Sequence, residues 1–130
     1  FELRMSRATD HTTQLAAWLN NHPKVTRVFH PSINLVSGES TLQRSVALLS
    51  FELENRAAVS LFLKRCDSLT LASTLGATHT LIGLPETTSH VECSVEERTA
   101  LGIPEGLVRV SVGIEPIDQL LAWFDHALSF

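Results

Sequence analysis

The sequence predicts an α+β fold, a two-layer sandwich in which a small, mostly antiparallel sheet carries helices on one face. Three or four short stretches alternate apolar and polar residues, which is the pattern of a strand with one buried face. Helical stretches separate these strands, and two longer ones bracket the chain. Short strands with one apolar face favour antiparallel or mixed pairing against a layer of helices. We therefore expect residues 1–130 to form a single domain.

The composition describes a globular chain and argues against several classes of function. Hydrophobic residues make up 44% of the 130 residues and charged residues 18%, which is enough apolar material for one core. A net charge of −4, with no basic run longer than Lys64–Arg65, predicts no nucleic-acid partner. No apolar run approaches the roughly 20 residues of a membrane span, and the opening FELRMSRATD lacks a signal-peptide core. Two cysteines, Cys66 and Cys93, do not indicate a disulfide scaffold, so we expect a reduced, cytoplasmic protein.

The first half of the chain predicts a helix, two strands and a second helix. Residues from about 2 to 21 have helical character, which ends at the proline of His22–Pro23. A short strand over 24–31, a loop over 32–41 and an alternating strand over 47–53 follow. Asn55 is the expected N-cap of the next helix. The apolar stripe of that helix consists of Ala58, Val59, Phe62, Leu63 and Cys66.

The second half predicts two further helices around the most apolar strand. A strand over 68–72 precedes a mostly irregular segment, 73–90, with a short turn or strand at 80–82. Ser94 and Glu97 form a capping box, which starts a short helix that ends near Gly102. After the strand GLVRVSVGIE at 106–115, Pro116 is expected at the first position of the last helix. The apolar stripe of that helix consists of Ile117, Leu120, Leu121, Phe124 and Leu128.

The N-terminus has the character of a chain that starts inside an element. Phe1 stands where a complete chain has Met, and the following residues already have helical character without a capping residue. We therefore expect a fragment, or one part of a larger protein.

Generic catalytic and metal-binding patterns are weak in this sequence. His79, His90 and Cys93 lie in one loop-rich region, but their spacing matches no zinc pattern, and neither CxxC nor HExxH occurs. We therefore expect no metal site, and a Cys–His nucleophile on Cys93 is not favoured either. Cys66, in a helical stripe, is expected to be a small core residue.

Arg109 is the unusual residue, because it lies in the middle of an apolar strand. Side chains of a strand alternate, so Val108 and Val110 face one side of the sheet and Arg109 the other. Two interpretations are open. The guanidinium pairs with an acid such as Glu52 or Glu115, or its planar fork binds the carboxylate or phosphate of a ligand.

Several segments carry a family resemblance. EERTALGI is similar to an EER…LGI helix, and GLVRVSVGIE to a GL(I/V)R(L/V)SVG(I/L)E strand, of the Cys/Met-metabolism enzymes that use pyridoxal 5′-phosphate (PLP). These are the cystathionine γ-synthases, cystathionine β- and γ-lyases, methionine γ-lyases and homocysteine-forming sulfhydrylases. Further upstream, LRMSRATDHTTQLAAWLNNHPKVTRVFHP resembles the family's long helix and the segment after it, and LLSFEL its central strand. The resemblance spans nearly the whole chain and weakens at 32–46.

The resemblance implies a fold and a set of site residues. The chain looks like the C-terminal small domain of a fold-type I PLP enzyme, the domain that binds the substrate. In such enzymes the arginine at the position of Arg109 binds the α-carboxylate of the amino-acid substrate. Thr74, in place of the serine of the family's Ser-Leu-Gly-Gly segment, would lie beside the same carboxylate. Ser73, Leu75 and Gly76 would line the pocket.

The sequence also departs from the family pattern. Ala77 replaces the second glycine of Ser-Leu-Gly-Gly, and Ser73 stands where enzymes of γ-substituted substrates often have Glu. The lysines are Lys24 and Lys64, and neither lies in a context that resembles the family's Schiff-base lysine. That lysine belongs to an N-terminal PLP-binding domain that is absent from this chain, so we expect no catalytic residue here.

The resemblance thus implies one part of a PLP-dependent lyase or transferase of transsulfuration. Its expected partners are a sulfur-containing amino acid, the N-terminal PLP-binding domain or chain, and further copies in a homo-oligomer. PLP is expected in the complete enzyme and none on this chain alone. Two alternatives stay open: a non-catalytic amino-acid-binding module, and a structural or interaction module derived from the same family.

Overall fold

The computed structural model describes residues 1–34, 46–87 and 91–130. Ten elements follow one another in these parts of the chain. They are α1 (Glu2–Asn20), β1 (Val25–Phe29), α2 (Pro31–Asn34), β2 (Leu48–Leu53), α3 (Arg56–Lys64), β3 (Thr70–Leu71), β4 (Leu81–Gly83), α4 (Val95–Ala100), β5 (Leu107–Ser111) and α5 (Ile117–Ala127).

The strands form one five-stranded sheet in the order β1-β2-β5-β4-β3. The pairs β1–β2, β2–β5 and β4–β5 are antiparallel, whereas β3 and β4 are parallel. The register of β1 on β2 is irregular between Val25 and Arg27. The α+β fold with a mostly antiparallel sheet is therefore confirmed, and β5 is its central strand.

The core fills the space between one face of the sheet and the helices. In β2 the burial alternates as expected, with Leu49, Phe51 and Leu53 almost without exposed surface. The Phe51 ring packs nearly perpendicular to the rings of Phe62 in α3 and Phe124 in α5, at centroid distances of 5.6 and 6.3 Å. Such edge-to-face contacts add to the burial of the rings. This face of the sheet therefore holds the molecule together.

The expected helix caps are present. The Asn55 side chain accepts a hydrogen bond from the backbone N–H of Ala58, and Ser94 and Glu97 form the reciprocal capping box. Helix α4 ends where Gly102 adopts a positive φ of 76°. The left-handed conformation is cheap for glycine, which explains why the helix ends there.

Two expectations about turns are wrong. The segment 32–41 was expected to be a loop, but Pro31–Asn34 form the single turn α2, stabilised by a hydrogen bond of 2.7 Å from the His30 N–H to Asn34 Oδ1. Residues 35–41 lie outside the described residues. Pro116 has an extended ψ of 132°, so it is the N-cap of α5 and not its first helical residue. The missing N–H of proline suits both positions, and the sequence alone does not separate them.

Candidate functional site

Arg109 lies in the middle of the central strand, on the face opposite the valines. Its register partners are Ser50 in β2 and Gly83 in β4. The guanidinium lies close to Gly83, since a Cβ on that residue would stand 3.1 Å from Nη2 and 3.4 Å from Nε of Arg109. Glycine at position 83 therefore makes room for the arginine head.

Backbone carbonyls, and not a carboxylate, hold the Arg109 head. Nη2 donates to the carbonyl oxygens of Ser73 at 3.2 Å and Thr74 at 3.4 Å. Within the described parts of the chain, no Asp or Glu forms an ion pair with Arg109, which leaves Nη1 and Nε without a partner. An arginine in this state keeps donors for a planar anion.

Glu115 does not pair with Arg109, the partner considered for it from the sequence. Its carboxylate accepts hydrogen bonds from the backbone N–H of Thr80 and, at 2.8 Å, from the Thr80 hydroxyl. The same hydroxyl accepts from the N–H of Gly113 at 3.0 Å. The segment after β5 is thereby tied to the start of β4, and Glu115 is not available to neutralise Arg109.

The structure separates the predicted site residues into two groups. The backbone carbonyls of Ser73 and Thr74 contact Arg109, while the Thr74 hydroxyl has no hydrogen-bond partner among the described residues. Leu75 and Gly76 instead line a neighbouring cleft of about 160 Å³, to which neither Arg109 nor Thr74 contributes. The two groups are adjacent parts of one loop, residues 72–80, which is exposed from residue 73 to 76.

The neighbouring cleft is mostly apolar. Its wall includes Ser111, which lies on the same face of β5 as Arg109 and two residues further along, a spacing of about 7 Å. The other lining residues are Arg4, Met5, Ala8, Ala47, Leu48, Leu75, Gly76, Ala77 and Val112.

Two polar residues that the sequence did not single out hold the loop. The Gly76 N–H donates to the Ser111 hydroxyl at 2.9 Å, and the Gly76 carbonyl accepts from Arg4 Nη1 at 2.8 Å. Strand alternation places Ser111 on the same face as Arg109, and this pattern could have identified Ser111 from the sequence. Nothing in the sequence pattern indicates Arg4, which lies 72 positions from Gly76.

Of the other residues weighed for chemistry, those that the structure describes take part in no metal-binding group. Cys66 packs against the core, and its burial, with the charge of Asp67 as the smaller cause, raises the pKa of its thiol to about 12. His79 is exposed, and His90 lies outside the described residues. Over residues 1–34, 46–87 and 91–130, no group of three or more His, Cys, Asp or Glu could hold a metal ion. None of the helices described is long and apolar enough to cross a bilayer.

Comparison with known proteins identifies the family. The family profile described as Cys/Met metabolism PLP-dependent enzyme matches residues 1–129. The chain belongs to this family. An L-methionine gamma-lyase from Fusobacterium nucleatum subsp. polymorphum is 35% identical over 98% of this chain, and the match covers 34% of that protein. A cystathionine beta-lyase from Coxiella burnetii is 37% identical over 97% of this chain and 34% of that protein.

Solved structures of PLP enzymes of fold type I share the fold. A cystathionine gamma synthase from Xanthomonas oryzae pv. oryzae, in complex with aminoacrylate and cysteine, has a TM-score of 0.89 and 32% identity, with 98% of this chain and 34% of that chain covered. A cystathionine gamma-lyase from Lactobacillus plantarum, complexed with L-serine, has a TM-score of 0.84 and 28% identity. The match covers 98% of this chain and 35% of that chain. The chain thus spans about a third of the length of these relatives.

The residues of this family member do not by themselves fit PLP. The cofactor needs a lysine for its Schiff base, a partner for its ring nitrogen and a phosphate site. Lys24 is exposed, with Nζ 4.6 Å from the centre of the Phe130 ring, and Lys64 is exposed at the end of α3 in the helix layer. Neither lysine is at the Arg109 face, so these residues supply no Schiff-base lysine beside the candidate site.

Proposed function

We propose that this chain is the substrate-binding part of a PLP-dependent enzyme that acts on a sulfur-containing amino acid. In this proposal Arg109 binds the α-carboxylate of the substrate, with Thr74 beside it. The observation that carries the proposal is the state of Arg109, whose Nη1 and Nε have no partner in the described chain. Membership of the family and the names of the relatives, a methionine gamma-lyase and a cystathionine beta-lyase, support the substrate class.

The clamp would orient the substrate as well as bind it. Each parallel pair of guanidinium donors includes Nη2, together with Nη1 or with Nε. The two carboxylate oxygens would therefore take one free donor and Nη2, whose hydrogen bonds to the Ser73 and Thr74 carbonyls are long. This pairing fixes both distance and direction. A fixed carboxylate restricts rotation of the substrate and so selects which bond at its Cα is presented to the cofactor. When bound, PLP supplies the electron sink for reactions at that carbon.

We assign PLP to a second domain or chain, and the catalytic residues with it. The positions of Lys24 and Lys64, together with the share of the relatives that the chain spans, support this division. We further propose that residues 1–130 act as one domain, that copies of the complete enzyme form a homo-oligomer, and that it functions in the cytoplasm.

The deciding experiment uses the complete protein, with the PLP-binding part present, and L-methionine or L-cystathionine as the probe. Arg109→Gln should raise KM about 10- to 150-fold, because a charge-assisted hydrogen-bonded pair contributes about 1.5–3 kcal/mol. Arg27→Gln, at an exposed arginine of the edge strand β1, is the matched control and should leave KM unchanged. An unchanged KM in Arg109→Gln would contradict the proposal.

A second arm tests whether the carboxylate is the group that Arg109 binds. L-methionine amide keeps the side chain but lacks the carboxylate charge, so the unsubstituted protein should bind it more weakly than L-methionine. Arg109→Gln should no longer discriminate between the two ligands, because the interaction that distinguishes them is gone. Equal discrimination in both proteins would assign the carboxylate to another residue.

Titration of this chain alone addresses the non-catalytic alternatives. The enzyme proposal predicts a yellow, PLP-containing protein only when the PLP-binding part is present. Saturable binding of L-methionine to the isolated chain, abolished in Arg109→Ala, would instead favour an amino-acid-binding module. A complete protein that stays colourless with added PLP would defeat the enzyme proposal.

A further inference from the structure

The loop of residues 72–80 connects β3 to β4 and has little packing of its own. Four successive residues, 73–76, are exposed. The two strands are parallel, and parallel neighbours usually need a longer crossover that includes a helix. A short exposed loop keeps its geometry mainly through hydrogen bonds to the surface on which it lies.

Most of these hydrogen bonds come from β5 and the residues that follow it. Successive positions of that segment contact successive positions of the loop, in the same direction. The pairs are Arg109 with Ser73 and Thr74, Ser111 with Gly76, Ile114 with Thr78, and Glu115 with Thr80. The strand that carries the guanidinium therefore also fixes the loop beside it.

Gly76 is held at both of its backbone polar groups. Its N–H donates to the Ser111 hydroxyl at 2.9 Å, and its carbonyl accepts from Arg4 Nη1 at 2.8 Å. Its φ of +83° lies in the left-handed region, which glycine adopts without a steric penalty. Ser111 is 4% exposed, so bulk water has little access to it. Strand β5 and helix α1 thus hold the two successive peptide groups on either side of the Gly76 Cα.

The hydrogen bonds to Arg109 are the longest of the set. At 3.2 and 3.4 Å they exceed those at Gly76, and long hydrogen bonds to neutral carbonyls are weak. The shorter hydrogen bonds at Gly76 therefore do more than Arg109 to fix the loop. The carbonyls of Ser73 and Thr74, placed by those bonds, are the acceptors that Arg109 Nη2 meets.

We propose that Ser111 is a positioning residue of the substrate clamp, acting through Gly76, with Arg4 as a second support for the same residue. The inference rests on the proposed function. By fixing Gly76, the Ser111 hydroxyl keeps the carbonyls of Ser73 and Thr74 against Nη2 of Arg109, and this sets how the guanidinium presents its donor pairs to the carboxylate. A guanidinium that rotates loses the paired geometry on which bidentate binding depends.

The first measurement is steady-state kinetics of the complete, PLP-loaded protein with L-methionine. Ser111→Ala should raise KM about 5- to 10-fold, the equivalent of one hydrogen bond, with a smaller change in kcat. Ser111→Thr, which keeps the hydroxyl, should restore most of the loss. Ser60→Ala makes the same change at an exposed serine of α3 and should leave KM unchanged.

The second measurement is amide hydrogen exchange, which does not depend on activity. Ser111→Ala and Arg4→Met should each speed exchange in a peptide that covers residues 73–79, while residues 48–53 of β2 exchange as before. Since both side chains bind the backbone of one residue, Gly76, their effects on kcat/KM should be non-additive in the double variant.

The outcomes separate this inference from the proposed function. Faster loop exchange with an unchanged KM would overturn the inference, because the hydrogen bond would then serve the fold alone. No change in either loop exchange or KM would also overturn it. If Ser111→Ala fails to fold or to retain PLP, Arg4→Met decides by the same two measurements. If Arg109→Gln raises KM and neither Ser111→Ala nor Arg4→Met does, the inference fails alone. If Arg109→Gln leaves KM unchanged, the proposed function fails.

Discussion

The two faces of strand β5 differ in whether all of their side chains have partners within the described chain. On one face Val108 and Val110 have no exposed surface and pack into the core with the helices. On the other face the Ser111 hydroxyl is satisfied by the loop, but Arg109 keeps donors without a partner in the described chain. Neighbouring residues of a single strand thus differ: the valines complete the core, whereas Arg109 has donors available for the binding that we propose. Substitutions on the two faces should therefore change different measurements.

The largest effect is expected on the helix-covered face. Phe51→Ala removes a fully buried ring that touches Phe62 and Phe124, so the free energy of unfolding should fall by about 3–5 kcal/mol. Urea unfolding followed by tryptophan fluorescence measures the change. Phe1→Ala, at a ring that is 93% exposed, is the control and should change stability by less than about 0.5 kcal/mol. A loss below about 1 kcal/mol in Phe51→Ala would show that the core tolerates a cavity there.

A smaller effect, mainly on binding, is expected on the open face. Gly83→Ala would place a methyl group 3.1 Å from Arg109 Nη2 and 3.2 Å from the backbone carbonyl oxygen of Ala72, so both must move by a few tenths of an ångström. The free energy of unfolding should fall by about 1–2 kcal/mol, less than in Phe51→Ala, while KM for L-methionine in the complete protein rises about 3- to 10-fold. If stability fell by several kcal/mol with KM unchanged, the two faces would not be separable in this way.

The smallest effect concerns the Cys66 thiol, which packs against the core on the helix side. Burial raises its pKa from 9.0 to about 12, so the thiol stays protonated at pH 8 and should react slowly with iodoacetamide until urea unfolds the chain. Above pH 9 the unfolded chain loses this proton first, so stability should fall as the pH rises from about 9 towards 12. Rapid labelling of Cys66 in the folded protein at pH 8 would contradict the burial.

The fold was largely predictable because its signals are local. Alternation in β2 and β5, the Asn55 cap and the Ser94–Glu97 box all depend on residues within a few positions of one another. The single turn at Pro31–Asn34 was missed, since four residues give no periodicity to detect. The parallel pairing of β3 with β4 was also beyond the sequence, because two- and three-residue strands leave little pattern.

The candidate site was predictable only where a strand face or a family motif marked it. Arg109 and Thr74 came from those two sources, and the structure places the Thr74 carbonyl against the guanidinium. Their roles toward a substrate remain a prediction. Arg4 and Gly83 act through contacts between residues far apart in the chain, and a single sequence carries no record of such contacts.

The edges of the sheet limit how copies of this protein can associate. β3, at one edge, is two residues long, and β1, at the other, has an irregular register and an exposed arginine at position 27. Short, bulged or charged edges disfavour the addition of a strand from another molecule. Copies that associate, as we propose for the complete enzyme, should therefore do so through helices and side-chain surfaces, and concentrated solutions should resist growth into continuous β-fibrils.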